Sequence, residues 1–196
     1  GRGWARSILF NEAMREAFKR FFEDRGKFAL GVCNGCQVLS SLAGIIPGTD
    51  QWPRFVHNRS RQFEARLSLV EIVESPSIML AGMAGSRLPV ATAHGEGRAN
   101  FGPDADPRRA PVAVRYVDAG GAPAVTYPYN PNGSPDGITG LCNADGRVTI
   151  LMPHPERLLR ALNYSWAPAE WRDDCHDNGG WSPWMRMFEN ARAWLD

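Results

Sequence analysis

Lys27-Phe28-Ala29-Leu30-Gly31-Val32-Cys33-Asn34-Gly35-Cys36-Gln37-Val38-Leu39-Ser40-Ser41-Leu42 decides the reading of the fold. A short apolar run ends at a thiol with glycine two residues before and two residues after it, and Gln37 to Leu42 then continues at helical spacing toward Gly44. Strand, sharp turn and helix is the order predicted. A cysteine in that turn has the nucleophile-elbow pattern, with Cys where Ser commonly stands. Small flanking residues let the chain hold Cys33 in a strained conformation at the sheet edge, where its sulfur is open to a substrate. A helix N-terminus favours the thiolate, and the N–H of Asn34 is placed to meet an oxyanion formed on attack. Two competing readings stand beside this one. Cys33 could be a small buried hydrophobe, as most free cysteines are. Cys33 and Cys36 also form a C-x-x-C pair, which suits a redox couple or half of a zinc site. A zinc site needs a second clustered pair, and the chain offers only the scattered Cys142, Cys175 and His176.

Upstream, Trp4, Ile8, Ala13, Ala17, Phe18, Phe21 and Phe22 recur among charged residues, predicting one amphipathic helix that Gly26 ends. Downstream, alternation over Arg61 to Glu74 and apolar runs at Leu88 to Ala93, Val112 to Val117 and Val148 to Met152 predict strands. Pro47 to Ser60 and Tyr127 to Gly137 read as surface loops or docking segments rich in turn residues. Ser182-Pro183 opens a last helix with Trp184, Phe188, Ala191 and Leu195 on one face, a pattern of core packing. The fold class expected is α/β: a doubly wound, mostly parallel sheet with helices on both faces, related to the flavodoxin-like order, with some antiparallel additions.

The second informative stretch follows the last predicted strand. Val148-Thr149-Ile150-Leu151-Met152 runs into Pro153-His154-Pro155-Glu156-Arg157, so a strand delivers a histidine to its C-terminal end. In an open α/β sheet ligands bind at that end, which is also where Cys33 falls. The prolines fix φ and hold the segment out of a helix. A carboxylate two residues beyond the histidine can bind one ring nitrogen and set the tautomer, leaving the other to take a thiol proton. A lone histidine at a strand end is more often structural or solvated than catalytic. A cysteine elbow and a His-x-Glu strand end in one chain nevertheless account for each other, whereas the structural alternative needs two coincidences.

Composition narrows the class of partner. With 22 basic against 21 acidic residues, no field gathers nucleic acid or an anionic membrane. No apolar run approaches the roughly 20 residues that span a bilayer, and no secretory signal pattern opens the chain. A soluble, cytoplasmic protein is expected. Four cysteines in 196 residues do not suggest a disulfide scaffold. One domain, 1–196, is the default for this length.

The Gly31-Val32-Cys33-Asn34-Gly35-Cys36-Gln37 elbow with the later His154-Pro155-Glu156 resembles class I glutamine amidotransferase domains. Pro53 to Val56, Phe63 to Arg66, His94-Gly95-Glu96-Gly97-Arg98, Tyr127 with Asn130 to Pro135, Met152 to Arg157 and Ser182 to Phe188 are similar to the C-terminal amidotransferase domain of the large phosphoribosylformylglycinamidine synthases. The resemblance covers nearly the whole chain. It implies glutamine hydrolysis through a γ-glutamyl thioester on Cys33, with His154 as base, Glu156 as its orienting group and Asn34 as oxyanion donor. It implies too that Gln37, His94, Gly95 and Glu96 line the glutamine pocket, a loop histidine being the alternative for His94. The ammonia is then used by a synthetase domain, absent from this chain, that requires ATP and magnesium. No cofactor or metal is expected within the chain itself. Arg54, Arg59 and Arg66 either face that synthetase or are solvated. The family pattern begins with a strand and a glycine-rich turn supplying a second oxyanion donor, whereas this sequence opens at Gly1-Arg2-Gly3. It is therefore expected to be part of a larger polypeptide. A free-standing cysteine γ-glutamyl hydrolase, a C-x-x-C thiol or zinc module, and a non-catalytic interaction domain are the alternatives.

Overall fold

The computed structural model describes residues 1–103, 105–166, 169 and 180–196, so Cys175 and His176 lie outside the described residues. The first apolar stripe forms two helices, α1 (Arg2–Phe10) and α2 (Glu12–Glu23). Asn11 separates them: its backbone is extended, and its side chain accepts from the Met14 N–H at 3.0 Å, capping α2. The expected single helix is corrected on this point. Apolar spacing keeps pace across the break, because Ala5 and Ile8 of α1 and Phe22 of α2 enter the same core.

The chain then enters β1 (Ala29–Val32), turns at Cys33 and starts α3 (Asn34–Ser41). Two short strands, β2 (Arg54–Val56) and β5 (Arg98–Asn100), form a separate antiparallel ribbon. The main sheet adds β3 (Glu64–Ile72), β4 (Arg87–His94), β6 (Val112–Tyr116), β7 (Ile138–Cys142) and β8 (Val148–Leu151), in the order β1-β8-β7-β6-β3-β4. The α/β class is as expected, and the sheet is mixed. β1 and β8 pair in parallel, with Val32 opposite Leu151. The other four pairings are antiparallel, a larger share than expected. Between β7 and β8 the reason lies in the connection: a parallel neighbour needs a crossover of a dozen or more residues, and the short Asn143–Arg147 turn allows only a hairpin.

Both sheet faces are covered. On one, α1, α2 and α3 bring Ala5, Ile8, Phe22, Leu39 and Leu42 against Val112, Leu141, Val148 and Ile150. On the other, Trp184 and the final helix, α4 (Met185–Leu195), bury Trp184, Met187 and Ala191 against Val70, Val90, Tyr116 and Leu151. The Trp184 indole also donates to Pro89 O at 2.8 Å, so its one polar atom is satisfied in the core. Gly31 sets the distance between β1 and α3: a Cβ there would lie 2.7 Å from Leu39 Cδ1 and 2.8 Å from the Gly35 carbonyl oxygen. The helix can therefore start directly against the strand that precedes it.

Three further details position the site. The chain leaving β8 reaches β4, with the His154 N–H donating to Ala91 O at 2.7 Å. Parallel pairing continues one step past β1, since the Cys33 N–H donates to Leu151 O at 2.8 Å. The loop over Tyr127–Gly137 departs from the surface loop expected, because Asn130, Asn132 and Ser134 are buried while only Tyr127 and Tyr129 stand out as exposed aromatics. Their amides and hydroxyl are occupied by hydrogen bonds within the loop and to Ala124, Gly97 and Ala99, which is what allows polar groups to be buried there.

Candidate active site

Cys33 is the junction of β1 and α3, and it has φ +51° and ψ −105°. A non-glycine residue rarely adopts positive φ, and the cost is held by the surrounding structure, here the pairing of β1 to β8 and the close β1–α3 contact at Gly31. Among the described residues, no acceptor is bonded to the N–H of Asn34 or Gly35 in the first turn of α3, as expected of a helix N-terminus. The Cys33 thiol is half-buried and lies 3.9 Å from Ala93 O. Cys36, one turn into α3, is fully buried, and burial pushes its thiol well above the usual range. Cys33, Cys36 and Cys142 are free thiols, and among the described residues no three His, Cys, Asp or Glu side chains are grouped to hold a metal ion.

His154 stands at the end of β8, parallel neighbour of β1, and is buried. Its Nδ1 is 2.6 Å from Glu156 Oε1. Its Nε2 is buried and has no hydrogen-bond partner among the described residues, yet the Cys33 side chain is the strongest influence on the ring. Cys33 first and Glu156 second raise the imidazole pKa to about 9, against a smaller opposing effect of burial. Burial alone would raise the Glu156 carboxyl, and its bond to His154 turns the balance, holding it below the usual carboxylate range. The structure thus brings together the three residues singled out in the sequence as thiol, base and orienting carboxylate.

The second set, Gln37, His94, Gly95 and Glu96, is also brought to this end of the sheet. Gln37 Nε2 donates to Glu96 O at 2.8 Å, and His94 ends β4 one residue after the carbonyl that faces the Cys33 thiol. The His94 ring, however, is buried, with Nε2 3.4 Å from the Tyr116 hydroxyl and Nδ1 without a hydrogen-bond partner among the described residues. Burial lowers its pKa to about 4, so the ring is neutral at pH 7. Gln37 and Glu96 also line a cleft of about 380 Å³ with Arg2, Arg6 and Arg54, which adjoins this region without including Cys33. Of the arginines considered at the sequence level, Arg54 donates to Ser40 O, and Arg66 lies over the Tyr127 ring and pairs with Glu64.

One functional candidate was not singled out from the sequence. Asn58 is buried, and its bonds reach His94, Gly95 and Gly97. A weak signal existed in its position inside a turn-rich loop, but its partners lie far along the chain.

The model of the CobB/CobQ-like glutamine amidotransferase domain family matches residues 1–195. Among solved structures, PurLQS from Thermotoga maritima superposes with a TM-score of 0.62 at 24% identity, covering 88% of this chain and 64% of that one. A putative GMP synthase protein from Thermoplasma acidophilum gives 0.50 at 11% identity, covering 96% and 67%. At these identities the likeness is one of fold, and the chain spans about two thirds of each neighbour's length. No helix among the described residues is long and apolar enough to cross a membrane.

Proposed function

Because the chain belongs to the CobB/CobQ-like glutamine amidotransferase domain family, we propose that it hydrolyses glutamine on Cys33 and supplies the ammonia to an ATP- and magnesium-dependent synthetase making formylglycinamidine ribonucleotide from formylglycinamide ribonucleotide. The observation that carries the reading is the strained Cys33 at the β1–α3 junction together with the His154–Glu156 pair just beyond the end of the adjacent strand β8. The choice of synthetase rests on the conjunction of motifs from Pro53 to Phe188, and the fold shared with PurLQS agrees with it.

On this reading hydrolysis proceeds in two stages, formation of a thioester and its cleavage by water. His154 Nε2 takes the proton of the Cys33 thiol, and Glu156 on Nδ1 stabilises the imidazolium formed. The sulfur attacks the side-chain amide carbon of glutamine, and the oxygen that gains charge is met by the N–H of Asn34 at the start of α3. As the C–N bond breaks, His154 returns its proton to the leaving nitrogen, giving ammonia and a γ-glutamyl thioester. Water, deprotonated by His154, then cleaves the thioester to glutamate and the free thiol. Gln37 and the His94-Gly95-Glu96 segment hold the amino-acid end of the substrate.

Cys33→Ala in the full polypeptide tests this. Glutamine-dependent product formation is expected to vanish, with turnover on high ammonium salt retained, since the substitution removes the nucleophile and spares the synthetase. Retained glutamine-dependent turnover would rule out Cys33. Glutamine hydrolysis without any ammonium-dependent ligation would instead identify a free-standing γ-glutamyl hydrolase.

A further inference from the structure

We propose that Asn58 is a positioning residue for glutamine binding, a role that rests on the reading above: it ties down the carbonyls around His94-Gly95-Glu96-Gly97 so that two adjacent backbone N–H groups are left to receive the substrate carboxylate. The hydrogen bonds of the segment lead to this assignment. The Asn58 N–H donates to Gly95 O at 2.9 Å, and its Nδ2 donates to His94 O at 2.8 Å. Its Oδ1 accepts from the Gly97 N–H at 3.0 Å. Its remaining amide hydrogen goes to Gln62 O at 3.0 Å, so the side chain has no unused donor. Gln37 Nε2 takes Glu96 O, and Asn132 Nδ2 takes Gly97 O at 2.7 Å. All four carbonyls and the Gly97 N–H are thereby bonded.

What remains is the N–H of Gly95 and the N–H of Glu96, for which there is no partner among the described residues. Two consecutive free donors suit an anion, as backbone nests do. They belong to a segment that follows directly on Ala93, whose carbonyl faces the Cys33 thiol. An amino-acid substrate with its side-chain amide at the sulfur has its carboxylate at the opposite end, where such donors are wanted. Without the Asn58 side chain, two groups of the segment, His94 O and the Gly97 N–H, lose their partner and the peptide planes on either side of Gly95 and Glu96 are free to rotate. Binding of the amino-acid end should suffer, whereas the thiol and its base, held by β1 and β8, should not.

The test compares Asn58→Ala and Asn58→Asp in the full polypeptide with wild type. Asn58→Asp keeps the volume and the acceptor for Gly97 and loses the donors to His94 and Gln62. Both variants should raise KM for glutamine about tenfold or more, with kcat changed by less than about threefold, since displacement of a positioning group by about 1 Å costs up to about a hundredfold. Ammonium-dependent turnover and the rate of Cys33 alkylation by iodoacetamide should stay at wild-type values, while labelling by a glutamine-derived diazo ketone should slow in step with KM. Asn143→Ala serves as the structural control: Asn143 is equally buried and bonds Pro47, Asp145 and Val148 instead. It should lower the melting temperature without moving KM. Folded Asn58 variants with KM within about twofold of wild type would overturn the proposal, as would an equal rise in KM for Asn143→Ala. If neither Asn58 variant folds, amide exchange at Gly95 and Glu96 in Cys33→Ala decides: protection by glutamine supports the proposal, and unchanged exchange under saturating glutamine overturns it. A wild-type enzyme that neither hydrolyses glutamine nor is labelled by the diazo ketone would overturn the glutamine reading itself.

Discussion

At the scale of single residues, the His154–Glu156 pair separates two roles by exposure. His154 has 10% of its side chain exposed and Glu156 has 39%, so water can replace part of what the carboxylate does but not what the imidazole does. His154→Asn should therefore lower thioester formation by about 10²–10⁴, the usual worth of a positioned acid–base group. Glu156→Gln should cost clearly less. Rapid-quench measurement of the thioester gives the order, and equal damage from the two substitutions in folded protein would show the roles to be misassigned. These residues were legible in the sequence because their chemistry is local. Glycine spacing predicts the turn at Cys33, and two prolines and a two-residue offset predict the His154–Glu156 contact. Asn58 was not legible, since an asparagine in a turn-rich loop is ordinarily solvated. Its meaning comes from residues 36 to 39 positions away, and nothing in its own neighbourhood announces them.

At the scale of elements, what apolar pattern can express was readable and what connection length or a single cap decides was not. β1, β3, β4, β6 and β8 follow alternation or apolar runs. β7 escaped because all five of its residues are buried, which removes the alternation, and because Gly140 interrupts the run. Gly140 is there for space: a Cβ would lie 2.5 Å from Leu151 Cδ2. The Asn11 break escaped because the apolar stripe runs through it. The contact between β1 and α3 is the element-scale feature on which the site depends most. In Gly31→Ala the new methyl meets the Gly35 carbonyl, a backbone group that can move only with the helix. Stability should fall by about 1–3 kcal/mol, as for overpacking in general, and glutamine turnover should fall by more than that loss explains, because α3 carries the Asn34 N–H. Urea unfolding and glutamate release on the same samples test it. Unchanged turnover in a destabilised protein would mean that the elbow tolerates a shift of α3.

For the whole molecule, the two histidines at the site set opposite limits on stability. In the unfolded chain both titrate near the ordinary 6.5, whereas in the fold His154 is raised to about 9 and His94 is lowered to about 4. The folded state binds the His154 proton more tightly than the unfolded state does. That contribution is fully present below about pH 6.5 and is lost as pH rises through 9. His94 is the reverse: its buried neutral ring refuses a proton that the unfolded chain accepts, so its contribution is full above about 6.5 and is lost as pH falls toward 4. Each proton can tilt stability by at most ~1.4 kcal/mol per pH unit. Stability should therefore peak near pH 6.5 and fall on both sides, with a different histidine responsible for each limb. The measurement is the free energy of urea unfolding from pH 4.5 to 9.5 for wild type, His94→Gln and His154→Gln. Lysines, and the carboxylates other than the Glu156 that His154 holds down, titrate alike in all three and cancel in the differences. His94→Gln should flatten the acid limb and leave the alkaline one, and His154→Gln should do the opposite. If His94→Gln destabilises the protein equally at pH 4.5 and 6.5, the acid limb does not come from His94, and its ring is not held neutral by burial in the way the structure implies.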